Sequence, residues 1–258
     1  MSRLKIACIQ FNPVWKEVDS NLLSLTHRLE KIPTDTDLII LPEMFSSGFV
    51  TDPETLIGQD DKKTLGWMIS MAKARNVTIT GSYIAVQGDK FRNRLAWVNP
   101  DGQASFYDKK HLFTYAGEDK GFDSGDKKIF PKIDNWTFQP LICYDLRFPV
   151  WSRNTSGYDV LVYVANWPIT RREAWLALLR ARAIENQCFC IGVNRSGTDG
   201  NGLEYSGDTV AFDFEGNQLG HLDSDETLMI LNLDKEGLIS FRSKFPFLAD
   251  RDKFSFQD

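Results

Sequence analysis

Three side chains of different chemistry stand just past three separate apolar runs. Glu43 follows Asp37-Leu38-Ile39-Ile40-Leu41-Pro42, Lys109 comes just beyond residues 104–107, and Cys143 follows Phe138-Gln139-Pro140-Leu141-Ile142. Each alone has a plain account, the charges as solvated loop residues and the cysteine as a small buried hydrophobe. Together they fit one reaction. In nucleophilic acyl transfer a base takes a thiol proton, the thiolate attacks a carbonyl carbon, and a cation steadies the oxyanion. Glu43 would be the base, Cys143 the nucleophile and Lys109 the cation, with the backbone N–H of Tyr144 as a second oxyanion donor. A lysine beside the thiol is expected to lower its pKa.

Strands must deliver these groups, because ligands of layered α/β folds bind in crevices at the carboxyl ends of strands. Residues 5–10 read as a strand. Val18-Asp19-Ser20-Asn21 offers caps for a helix with Leu22, Leu25, Leu29 and Ile32 on one face, stopped by Pro33. Residues 37–42 form a second strand; a helix from about Thr64 carries Leu65, Met68, Ile69 and Ala72, and β character resumes over 77–86. Asp101-Gly102 turns a hairpin between 94–99 and 104–107. The Gly- and Asp-rich segment 118–128 reads as a surface loop walling a pocket. Strands follow at 138–142, 159–166 and 188–194. Between the last two, Thr170-Arg171-Arg172-Glu173 has capping-box spacing before a helix bearing Trp175, Leu178 and Leu179. Beyond Gly207 the chain reads as mostly β, with a turn at Glu215-Gly216 and an apolar run over 228–233. No internal sequence repeat is visible.

A chain of 258 residues with 42% hydrophobic content suits one α/β domain over 1–258. Its formal net charge of −5 gives no footprint for nucleic acid or an anionic membrane surface, and no segment is long and apolar enough to span a bilayer. A small-molecule substrate is therefore expected. The beginning of the chain lacks signal-peptide features. Cys8, Cys143, Cys188 and Cys190 lack metal-ligand spacing, which fits a reduced, cytoplasmic protein with no metal or cofactor. Cys188 and Cys190 read as packing residues, and His27 and His221 as surface or boundary residues. His111 suits positioning of the lysine loop.

Three motifs then carry a resemblance. Leu41-Pro42-Glu43-Met44-Phe45, Lys109-Lys110-His111-Leu112-Phe113 and Cys143-Tyr144-Asp145-Leu146-Arg147-Phe148-Pro149 are similar, in order, to the glutamate, lysine and cysteine motifs of the nitrilase superfamily of carbon-nitrogen hydrolases. The likeness covers nearly the whole chain. It implies a four-layer α-β-β-α sandwich, a Glu-Lys-Cys catalytic set with Lys109 rather than Lys110, a second glutamate at Glu118, and a homodimer formed through outer helices.

Tyr163-Val164-Ala165-Asn166-Trp167-Pro168, Arg180-Ala181-Arg182-Ala183-Ile184-Glu185-Asn186, residues 194–208 and Arg242-Ser243-Lys244-Phe245-Pro246 resemble the bacterial omega-amidase branch. That implies hydrolysis of the terminal amide of 2-oxoglutaramate-like dicarboxylate monoamides, to acid and ammonia, through a thioester. The substrate's free carboxylate needs a partner, since burying it unpaired costs several kcal/mol. Arg147, Arg171 and Arg195 are the candidates, with Phe113, Asn166 and Trp167 lining the wall between; Arg147 has an alternative use as a bridge to Asp145 or Glu185. Nitriles and N-carbamoyl compounds suit the same three catalytic residues. From other classes, a metal-dependent phosphoesterase leaves Cys143 unexplained, and a silent binding protein leaves the whole set unexplained.

Overall fold

The computed structural model describes residues 3–56, 61–225 and 227–256. In chain order its first half comprises β1 (Arg3–Ile9), α1 (Val18–Leu29), β2 (Leu38–Ile40), α2 (Asp61–Arg75), β3 (Thr78–Gln87), β4 (Lys90–Val98) and β5 (Ala104–Asp108). The short α3 (Glu118–Gly121) and β6 (Lys132–Ile133) lead into β7 (Trp136–Ile142), α4 (Pro149–Ser152), β8 (Val160–Ala165), α5 (Arg172–Asn186) and β9 (Phe189–Asn194). A small hairpin, β10 (Ser196–Thr198) and β11 (Glu204–Ser206), precedes β12 (Val210–Phe212), β13 (Gln218–His221), β14 (Leu228–Asp234) and α6 (Lys235–Lys244).

Apart from the two-stranded β10–β11 hairpin, the described strands form two six-stranded sheets built alike. One runs β14-β1-β2-β3-β4-β5 and the other, read from its opposite edge, β6-β7-β8-β9-β12-β13. Each has three parallel strands, an antiparallel strand on one flank and an antiparallel hairpin extension on the other. The two halves thus repeat an arrangement that their sequences do not.

Side-chain alternation explains the layering. Leu38 and Ile40 of β2 face the second sheet and share a core with Trp97 and Phe138, whose rings lie 4.8 Å apart. Ile39 points the other way, onto Leu25 of α1 and Met68 of α2. On the far side Trp175, Leu179 and Ala183 of α5 and Leu238 of α6 cover the second sheet. Helices, sheet, sheet and helices make the expected α-β-β-α sandwich, whose buried Leu and Ile side chains contribute about 1.5–3 kcal/mol each.

Several local expectations change. The region after Gly207 contains α6, whose N-cap Asp234 accepts from the Glu236 amide at 3.1 Å; Gly237 in the first turn hides the helical pattern. Thr170 caps nothing, because residues 169–171 form a 3-10 turn and α5 starts at Arg172. That start is anchored instead by Arg172 donating twice to Asp208, at 2.9 and 2.8 Å. The caps expected for α1 are likewise unused: the Asn21 side chain ties down the Val14 amide and carbonyl and the Ser46 carbonyl. Helix α2 begins at Asp61 rather than near Thr64.

Two glycines make opposite predictions. A Cβ on Gly192 of β9 would sit 2.4 Å from Leu179 and 2.6 Å from Trp175, so Gly192→Ala should destabilise by about 1–3 kcal/mol through overpacking. A Cβ on Gly66 of α2 meets nothing within 4 Å, so Gly66→Ala should stabilise by about 0.5–1 kcal/mol. Chemical denaturation of both variants reads the two signs.

Candidate active site

Strand ends gather the three groups. Glu43 lies three residues past β2, Lys109 follows β5, and Cys143 follows β7. Cys143 has φ 42°, a left-handed conformation uncommon for a residue with a side chain, and it turns the chain sharply away from its strand. Asp145 holds that turn. Its buried carboxylate accepts from the Ile142 amide (3.1 Å), the Tyr107 hydroxyl (2.6 Å), the His111 amide (3.0 Å) and His111 Nδ1 (2.8 Å). One carboxylate therefore joins the cysteine turn to the lysine loop. The His111 ring stacks on Phe148 at 3.7 Å, while His27 is exposed and His221 donates to Asp208 at 2.7 Å.

Lys109 Nζ is buried between two buried carboxylates, 2.8 Å from Glu43 Oε1 and 2.8 and 3.1 Å from Glu118 Oε2 and Oε1. Most of segment 118–128 lies at the surface as expected, and residues 124–127 wall a separate surface pocket, but Glu118 and Phe122 are interior and Phe113 and Ala116 supply the wall beside Cys143. Burial alone would lower the Lys109 pKa, but Glu118 and Glu43 outweigh it and raise it, so the ammonium is permanent. Burial, and to a lesser degree the Glu43 charge, hold the Glu118 pKa above the ordinary carboxylate range, and Lys109 offsets them only in part. Four N–H contacts fill the acceptor positions of Glu118: Lys109 on both oxygens, Asn93 Nδ2 on Oε1 at 3.0 Å and the Phe113 amide on Oε2 at 2.6 Å. No position is left for a proton, so Glu118 is ionised.

Glu43 differs at one oxygen. Its Oε1 takes Lys109 and Asn93 Nδ2 (2.8 Å), and its Oε2 takes the Asn166 amide at 2.8 Å and only a long contact from Asn166 Nδ2 at 3.4 Å, so Oε2 is the less firmly held oxygen. The thiol is within hydrogen-bonding reach of this carboxylate, and it donates weakly to the Asn166 carbonyl at 3.9 Å. The expected lowering of the thiol pKa does not occur. Burial, then the Glu43 charge, raise it well above the ordinary cysteine range, and the single Lys109 charge does not compensate.

Cys143, 8% exposed, opens onto a cavity of about 100 Å³. Phe49, Phe113, Tyr144, Arg147, Asn166, Trp167 and Arg171 line it, joined by Asp199, Asn201, Leu203 and Tyr205 from the β10–β11 hairpin. Arg147 stacks on Trp167 (4.9 Å) and Arg171 on Phe113 (5.3 Å), and among the described residues neither is paired with a carboxylate. The alternative bridge from Arg147 is absent: Asp145 serves Tyr107 and His111, and Glu185 pairs with Arg182. Arg195 does not reach the cavity. It lies behind Tyr205 (4.5 Å) and donates to Asn12 Oδ1 and to the Ser196 and Thr198 carbonyls. Sequence reasoning passed over Asn93, Tyr107 and the hairpin wall. Asn93 had a usable signal, since it shares a strand face with Leu95 and Trp97.

The chain matches the Carbon-nitrogen hydrolase family over residues 5–243. It belongs to that family. It is a hydrolase of carbon-nitrogen bonds, which replaces the phosphoesterase and silent-binder readings. An omega-amidase, YafV, of Escherichia coli K12 is 42% identical over 98% of this chain and 99% of its own length. A 2-oxoglutaramate amidase of Bacillus subtilis is 30% identical, with 95% and 96% covered. The crystal structure of a CN-hydrolase superfamily protein from Xanthomonas campestris, described as having an arsenic adduct in its active site, superimposes with a TM-score of 0.95 at 36% identity, covering 100% of both chains.

Removing the cation should separate the two lysines. Lys109→Met leaves two buried carboxylates without a counter-charge and should cost about 3–5 kcal/mol of stability. Glu118, already raised by burial and now without Lys109, would titrate further above its unfolded value, so the deficit should be small in acid and grow as pH rises through that range. Lys110→Met, which loses only a contact over Trp151, should be mild. Melting curves across pH test both; equal effects would contradict the geometry.

Proposed function

We infer that this hydrolase cleaves the terminal amide of a short dicarboxylate monoamide, 2-oxoglutaramate-like, to the acid and ammonia. Cys143 Sγ attacks the amide carbon while its proton moves to Glu43 Oε2, displacing the long Asn166 Nδ2 contact there. One Lys109 hydrogen spans the Glu118 carboxylate and a second meets Glu43, which leaves the third, with the Tyr144 N–H, for the oxyanion. Collapse of the tetrahedral intermediate breaks the C–N bond, and Glu43 returns the proton so that ammonia leaves. Water, deprotonated by Glu43, then attacks the thioester and frees the acid and Cys143.

The observation that carries the substrate reading is the pair of uncommitted guanidinium groups, Arg147 and Arg171, in a small cavity floored by the thiol. A free carboxylate one short chain away from the amide suits them, and planar guanidinium binds carboxylate bidentately. The names of the Escherichia coli and Bacillus subtilis relatives agree. Asn166 favours an amide over a nitrile: its Nδ2 is spent on the Glu43 carbonyl at 2.7 Å and Glu43 Oε2 at 3.4 Å, and its Oδ1, without a partner among the described residues, is an acceptor that an amide NH₂ can use and a nitrile cannot.

A reduced, cytoplasmic setting is supported by four free, buried cysteines. No helix among the described residues is long and apolar enough to cross a membrane. A homodimer formed through the outer helices is supported by Ile184 of α5 and Ile239 of α6, which stand about half-exposed. Sedimentation analysis reads that assignment.

An ammonia-release screen over monoamides, nitriles and carbamoyl compounds tests the function. Cys143→Ala should retain its melting temperature and lose all but about a per cent or less of turnover. Arg147→Leu or Arg171→Leu should cost about 2–4 kcal/mol in kcat/KM for succinamate or 2-oxoglutaramate, but not for an uncharged amide of equal length. If neither arginine variant separates the two substrates, the carboxylate reading is wrong and the protein is a general short-chain amidase.

A further inference from the structure

One buried polar side chain touches both carboxylates and has no part in the proton transfers just described. Asn93 is fully buried on β4, with Nδ2 2.8 Å from Glu43 Oε1 and 3.0 Å from Glu118 Oε1. A carboxamide can turn either its oxygen or its nitrogen toward a neighbour, so its orientation must be fixed by something else. Here a chain of donors fixes it. The Met44 amide can only donate, and its acceptor is Ser82 Oγ at 2.9 Å. Ser82 therefore spends its one hydrogen on Asn93 Oδ1, also at 2.9 Å. The Asn93 nitrogen, with both hydrogens, is left facing Glu43 and Glu118. The ring closes on itself, because Met44 is the residue after Glu43 and is held at φ 44°. The Asn93 carbonyl also accepts the Lys109 amide at 3.0 Å, so the same residue fixes the cation's backbone.

We propose that Asn93 is a positioning residue for proton transfer: locked by Ser82 and Met44, its amide fills the last acceptor position of Glu118 and directs the thiol proton to Glu43 Oε2. This rests on the assignment of Glu43 as the base. The charged and titratable groups facing the carboxylate pair are Lys109, from the end of β5, and Cys143, from the end of β7. The other contacts described are the neutral amides of Asn166 and Phe113 and the Asn166 side chain. Without the Asn93 donor, Glu118 Oε1 and Glu43 Oε1 each gain an open position, and a proton has sites from which it cannot return to the leaving nitrogen. A donor that favours the ionised form is also lost, so the pair becomes harder to ionise.

The experiment compares pH profiles of ammonia release for wild type, Asn93→Leu and Ser82→Ala, with melting temperatures as a folding control and Glu43→Gln in parallel. Asn93→Leu should lower kcat roughly tenfold to a hundredfold with KM changed less than about twofold. Its acid limb should move to higher pH by about one unit, because a base that ionises less readily is protonated further up the scale. Ser82→Ala, which frees the amide to turn over, should shift the limb the same way by less. A loss with the acid limb unmoved in both variants, or full activity in Asn93→Leu, overturns the proposal. If Asn93→Leu does not fold, the limb of Ser82→Ala decides alone. Turnover by Glu43→Gln would instead sink the assignment of the base. With Glu43→Gln inactive and both limbs unmoved, only the role of Asn93 fails.

Discussion

A single ammonium held between two buried carboxylates is the constraint on which the rest of this site depends. Removing Lys109, Glu43 and Glu118 from water costs several kcal/mol for each ion, and only close, fully hydrogen-bonded contact offsets it. The fold supplies that contact by ending strands of both sheets at one place. β2 leads to Glu43 and β5 leads to Lys109, β7 brings Cys143 from the facing sheet, and Phe113 ties Glu118 back to the lysine loop. Asp145 then fixes the distance between the two sheets' contributions by holding the cysteine turn and His111 together.

Acceptor accounting gives the two carboxylates different work. Glu118 has every position occupied and acts as a fixed negative charge that holds Lys109. Glu43 keeps its Oε2 loosely held, with the Asn166 amide at 2.8 Å and Asn166 Nδ2 at 3.4 Å, and its carboxylate interacts with the thiol. With two negative charges and one positive charge around it, and little water, the thiol stays protonated at rest. In the proposed mechanism, nucleophile formation is thereby coupled to attack on a substrate. A resting thiolate, open to oxidants and alkylating agents, is avoided.

Much of this was legible in the sequence because it depends on runs that end abruptly. The apolar stretch before Glu43 and the one before Cys143 each announce a buried strand, and Asp101-Gly102 announces the hairpin that delivers Lys109. Less legible were features set by pairing across space. The hairpin reading began at Arg94, one residue beyond Asn93, and only the register of β3 against β4 puts Ser82 and Asn93 together between the sheets. Arg195 lies at a strand end like Arg147, yet its side chain turns behind Tyr205 to secure the β10–β11 hairpin. The sign of the thiol's pKa shift is set first by burial, which a linear motif does not show, and then by the charge of Glu43.

The protonated resting thiol is the central claim, and it can be measured without a substrate. Thiolate absorbs in the far ultraviolet where a thiol does not, so the difference spectrum of wild type against Cys143→Ala, followed across pH, isolates this one group from Cys8, Cys188 and Cys190. The account predicts no thiolate band at neutral pH and its appearance only well into the alkaline range. A thiolate band already present at neutral pH, and missing from Cys143→Ala, would mean that Cys143 and Lys109 rest as an ion pair, and would contradict proton transfer to Glu43 as the step that creates the nucleophile.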